Sequence, residues 1–117
     1  MNPNEKRDDE SHNSNMTTEP AQVAFSRCVD AACEVWHITP EAITSQRRSM
    51  WEVVPRFACY RYLRELGFSY TTIRDVMERK DHGAVMNGCA KFADMLETDP
   101  KIRRQWEQFK LIIQQNP

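Results

Sequence analysis

The chain of 117 residues holds little of what most enzyme chemistry needs. Its three glycines cannot make a Gly-rich phosphate loop. Its three histidines, at 12, 37 and 82, include no two close enough in sequence to start a ligand pair. The four cysteines, at 28, 33, 59 and 89, show neither a C-x-x-C pair nor a Cys/His zinc spacing. They read as reduced, small apolar residues inside helices, which fits a cytosolic setting. No apolar run approaches the roughly 18 residues that suggest a membrane span, and the N-terminus lacks the apolar stretch of a signal peptide. No serine or cysteine stands in a nucleophile motif. The expectation is therefore a non-enzymatic protein without metal or cofactor.

The net charge of -1 hides an uneven distribution. Residues 1 to 20 carry five acids against two bases, and their polar sequence, with two prolines, has no periodic apolar positions. Such a segment cannot bury enough surface to offset ordering entropy and reads as a flexible acidic tail. His12 lies in it without partner ligands. Between Thr44 and Lys91 the count reverses to nine bases against five acids, a mild basic patch. The remainder, 21 to 117, is long enough for one domain with one modest core.

Apolar spacing in that remainder is helical throughout. Phe25, Cys28, Val29, Ala32 and Trp36 form one stripe. Thr39 and Pro40 are the N-cap and first residue of a very short second helix. "QRRSMWEVV" reads as an irregular basic loop. Pro55 biases Val54 away from helical geometry, so a third helix is expected to start at or just before Pro55 and end at Gly67, with Arg56, Arg61 and Arg64 on its surface. Ser69 caps a helix to Met77, "ERKD" makes a turn, and a helix from Asp81 places Val85, Cys89, Phe92 and Leu96 on one face and Ala84, Asn87 and Lys91 on another. Asp99 and Pro100 begin a last helix with Ile102, Trp106, Phe109 and Ile113 inward. The spacing predicts an all-α fold of about six helices. His37 reads as a helix-end residue, and the tryptophans at 36, 51 and 106 suit the core or its rim, Trp51 least clearly because it falls in the basic loop.

A short helix, a tight turn and a second helix with a polar N-terminal face form the layout of a helix-turn-helix. In this setting "ITPEAI" with the basic "SQRRS", "PRFACYRYLREL", "SYTTIRDVMERKDHGAVMNGCAKF" and the "DP" before the last helix together resemble the C-terminal DNA-binding domain (domain IV) of the bacterial chromosomal replication initiator DnaA, a six-helix fold related to the Trp repressor. The resemblance runs from about Val23 to Lys110. It implies a stand-alone module that binds double-stranded DNA, with a cytoplasmic, nucleoid-associated role in replication or transcription. By it, His82, Gly83 and Ala84 meet base edges in the major groove, Lys80 and Asp81 set and cap the helix start, and Asn87 and Lys91 complete that face. Arg47, Arg48 and Arg56 meet the backbone or the neighbouring minor groove.

Two departures bear on specificity. The family has a hydroxyl pair where this chain has Gly83 and Ala84, and an arginine where it has Val54. Without a good hydrogen bond to a base edge, discrimination at that position weakens by about 1–3 kcal/mol. Relaxed or altered sequence preference is the expectation. The alternative is a protein-interaction module on this fold, docking on a replication or regulatory partner. Neither the initiator's ATPase activity nor a small-molecule substrate is expected.

Overall fold

The computed structural model describes residues 19–115, which form six helices and, among the described residues, no strand. They are α1 (Ala21–Trp36), α2 (Pro40–Thr44), α3 (Met50–Glu65), α4 (Tyr70–Val76), α5 (His82–Thr98) and α6 (Pro100–Gln115). The protein is all-α, as the apolar spacing predicts. The flexible-tail expectation for residues 1 to 18, His12 included, lies outside the described residues. Glu19 and Pro20 are described: Glu19 pairs with Arg27, and the Pro20 carbonyl accepts the Val23 and Ala24 N–H groups at 3.0 Å. No helix among the described residues is long and apolar enough to cross a membrane.

The core forms where the helical stripes meet. Ala24, Phe25, Cys28, Ala31, Ala32 and Val35 of α1 face Ala58, Cys59, Tyr62 and Leu63 of α3 and the Ile102, Trp106, Phe109 and Ile113 stripe of α6. Aromatic rings hold this centre together. Trp106 stacks on Phe109 with centroids 5.6 Å apart and meets Phe92 of α5 edge-on at 5.4 Å. Such pairs contribute about 0.5–1.5 kcal/mol beyond the area they bury. Trp36 sits on the rim of the cluster, 5.6 Å from Phe109, and its indole N–H donates to Gln105 at 3.0 Å.

Local chemistry sets the helix ends. Gly67, at φ 104, takes the left-handed stop after α3 that an L side chain would resist. The Ser69 hydroxyl accepts the Thr72 N–H at 3.1 Å to begin α4, and the Asp99 carboxylate accepts the Lys101 N–H at 2.9 Å to begin α6. Pro40 opens α2 as expected, with Thr39 at the N-cap position but no side-chain cap bond.

The start of α3 corrects the sequence reading. The helix begins at Met50, and Pro55 lies inside it, so the irregular stretch is much shorter than "QRRSMWEVV" suggests. The Ser49 hydroxyl bonds Glu52 Oε1 at 2.8 Å while the Ser49 carbonyl accepts the Glu52 and Val53 N–H groups, which closes a first turn upstream of the proline. Pro55 removes one bond of the ladder, to the Trp51 carbonyl, but its ring is fully buried. Capping and burial together outweigh the proline's local bias.

Candidate nucleic-acid interface

The turn of residues 77 to 81 aims α5. Glu78 adopts the left-handed conformation at φ 60, and the Arg79 backbone N–H returns to the Arg74 carbonyl at 2.9 Å. The Asp81 side chain accepts the Ala84 N–H at 3.0 Å, so this residue caps α5 as the resemblance implies. The first turn of α5, His82, Gly83 and Ala84, is exposed, as are Asn87 and Lys91 further along it. Val85 and Phe92 on the opposite face are buried.

Across from this helix stand residues 46 to 53, and between the two is a cleft of about 510 Å³. Arg48, Lys80, Asp81, Ala84, Asn87 and Lys91 line it, as does part of Arg56, so most of the residues expected from sequence converge there. Arg47, His82 and Gly83 do not line it, although all three are exposed near its ends. The Arg47 side chain, 72% exposed, pairs with Glu52 Oε2 at 3.0 Å. Among the described residues no ion pair engages Arg48, Lys80 or Lys91. A Cβ at Gly83 would stand 2.9 Å from the capping oxygen of Asp81, so a larger residue there must move the cap.

Arg56 corrects the expectation of a surface cation that contacts DNA. It is only 4% exposed. Its Nε donates to the Ile43 carbonyl at 2.9 Å, one terminal nitrogen donates to the Arg47 carbonyl at 2.9 Å, and the other to the Ala42 carbonyl at 3.0 Å and the Ser45 hydroxyl at 3.1 Å. These bonds satisfy the exposed carbonyl end of α2 and fix the chain that follows it. Burial, and next the nearby Arg79 guanidinium, lower the Arg56 pKa from its ordinary value. The side chain shapes the basic loop from beneath and does not reach out of it. Val54, where the resemblance places an arginine, is also buried.

Arg79 has a similar role that sequence reasoning missed. It donates to the Thr44, Ser45 and Met77 carbonyls and thereby ties the turn before α5 to the end of α2. Its partners in α2 and just after it are more than thirty residues away, and no local spacing signals such a bond. Beneath the cleft Phe57 and Tyr60 stack at 5.9 Å, and Gly88 lets α5 approach them closely: a Cβ there would lie 2.6 Å from the Tyr60 ring. Burial raises the Tyr60 pKa from its ordinary value.

Trp51, expected at the core or its rim, and Met50 beside it stand elsewhere. They are 74% and 60% exposed, on the first turn of α3 directly after the basic loop. Trp51 therefore belongs neither to the core nor to its rim.

Among the described residues no group of three or more His, Cys, Asp or Glu side chains is placed to hold a metal ion. No protein-family model matches the chain, and no solved structure matches it significantly.

Proposed function

We propose that the chain is a double-stranded DNA-binding module that uses α4 and α5 as a helix-turn-helix of the Trp-repressor-like, initiator domain IV type. The observation that carries this reading is the convergence of Arg48, Lys80 and Lys91, none in an ion pair among the described residues, with the exposed, Asp81-capped first turn of α5 around one cleft. A capped helix start presents its first-turn side chains to a groove, and cations flanking it neutralise phosphates without regard to sequence. His82 is the only side chain of that turn that carries a hydrogen-bonding group, because Gly83 and Ala84 have none. Ala84 can still touch a thymine methyl. The role is accessory or regulatory in replication or transcription, with relaxed or altered sequence preference.

Fluorescence anisotropy with a random duplex and an initiator-box duplex, at low and moderate salt, tests this. The wild-type chain should bind both, with affinity falling as salt rises. The combined Arg47→Ala and Arg48→Ala variant should weaken both by a similar factor and flatten the salt slope. No salt-dependent binding at tens of micromolar protein would remove the proposal. It would favour the alternative, a protein-interaction module, which the lack of hydroxyls on the first turn of α5 supports.

A further inference from the structure

Trp51 is the most exposed large apolar side chain among the described residues, and Met50 beside it is next. A tryptophan held in water in this way is uncommon, because its ring carries one of the largest apolar surfaces of any residue. Its backbone is firmly held. The Ser49 carbonyl accepts the Glu52 N–H at 3.0 Å, the Ser49 hydroxyl bonds the Glu52 carboxylate, and that carboxylate pairs with Arg47. Pro55, buried one turn further on, anchors the same helix in the core. The ring is thus presented on a rigid turn.

We infer that Trp51, supported by Met50, is a base-stacking wedge, inserted at a base step of duplex DNA beside the groove that α5 enters. This rests on the DNA-binding reading and adds a specific contact to it. Two features select nucleic acid as the occupant. The pair follows Arg47 and Arg48 with Ser49 between; Arg47 is held by Glu52, but Arg48 is in no ion pair among the described residues, so the apolar wedge carries a cation on its N-terminal side, of the kind that contacts phosphate beside an inserted side chain. Met50 also lines the cleft together with Arg48, Lys80 and Lys91, so an occupant that reaches the Met50–Trp51 turn meets those cations as well, which favours a polyanion. An aromatic face stacks on any base, so this contact adds affinity and bends DNA without needing the hydroxyl pair that α5 lacks.

The test uses the full chain and its Trp51→Ala and Trp51→Phe variants with a mixed-sequence duplex labelled at both ends. Anisotropy reports binding, energy transfer between the end labels reports bending, and tryptophan emission reports stacking. Trp36 and Trp106 are partly or fully buried, so quenching by DNA should arise mainly from Trp51. The wild-type chain should bind, shorten the end-to-end distance and lose tryptophan emission. Trp51→Ala should bind roughly ten- to hundredfold more weakly and leave the duplex straight, while Trp51→Phe recovers part of both effects. Circular dichroism should show all three chains equally folded, because the ring stands outside the core. Wild-type binding with Trp51→Ala equal to it in affinity and bend would overturn the wedge and leave the DNA reading standing. Absence of wild-type binding would overturn both. A Trp51 emission shift on anionic phospholipid vesicles, with no change on DNA, would assign the pair to a membrane surface and equally overturn the wedge.

Discussion

Arg56 shows how far a residue's type can mislead about its place. In a segment with nine bases against five acids an arginine reads as surface charge. Here the guanidinium is buried because the end of α2 leaves carbonyls that need donors, and five N–H groups in a rigid fork supply several at once. Nothing within a few residues of Arg56 shows this, since its acceptors lie nine to fourteen residues back. By contrast, Ser69 as the cap of α4 was legible, because capping is set by neighbours in the chain. Arg56→Ala should therefore cost about 3 kcal/mol of unfolding free energy, because it leaves buried carbonyls without donors. Arg56→Lys should recover only part of that, since one ammonium cannot span the same acceptors. Denaturant titration of the two variants checks the order. Stability equal to wild type in both would mean that water replaces the guanidinium at no cost and that Arg56 is free to face a ligand.

Among the elements, α6 buries the face that its apolar spacing selects, whereas α1 and α5 do so in part: Val29, Trp36, Cys89 and Leu96 are only half-buried, and Ala24, Ala31, Val35 and Gly88 are buried beside the expected stripes. The misread element is α3, where Pro55 outranks the Ser49 and Glu52 signal if only local propensity is weighed. Tertiary burial of the proline ring reverses that order. The packing of α3 against α5 was not legible either. No sequence pattern singles out Gly88, and only the fold reveals that it faces the Phe57 and Tyr60 rings. Gly88→Ala opposes two effects. The helix gains about 1 kcal/mol of propensity, but the new Cβ would stand 2.6 Å from two atoms of the buried Tyr60 ring and 2.9 Å from Phe57. Overpacking of that kind costs about 1–3 kcal/mol, and buried rings cannot swing aside as a flexible chain end does. The net effect should be destabilising, seen as a melting temperature lowered by several degrees. A higher melting temperature would show that α5 can shift away from α3 freely.

At the scale of the whole molecule, charge counted along the chain overstates the charge available to a partner. Arg56 and Arg79 serve backbone carbonyls, and Arg61 and Arg74 pair with Glu65 and Asp75. Of the exposed cations outside these pairs, Arg48, Lys80 and Lys91 line the cleft while Lys101 and Arg104 lie on α6, so on the proposed DNA-binding reading few phosphates are neutralised at the cleft and a shallow salt slope is expected. The cysteines show a complementary effect. All four are free thiols; Cys28 and Cys59 are buried in the core, Cys89 packs half-buried against it, and Cys33 is only half-buried. Hydrogen bonding with Cys28 and then burial raise the Cys59 pKa well above its ordinary value of 9.0, and burial raises that of Cys89 to about 11. A thiol with a folded-state pKa above its unfolded value holds its proton more tightly in the native chain. The stability it contributes is intact below about pH 9 and is lost as pH rises toward 11 and beyond. Each such group steepens the decline by at most about 1.4 kcal/mol per pH unit. Unfolding free energy measured under reducing conditions should therefore be flat with respect to these thiols near neutral pH and fall above pH 9. Cys89→Ala should make the alkaline fall shallower, because one proton-linked group is gone, whatever the substitution does to stability at pH 7. An identical alkaline slope in wild type and Cys89→Ala would show that this thiol ionises as readily in the folded chain as in the unfolded one.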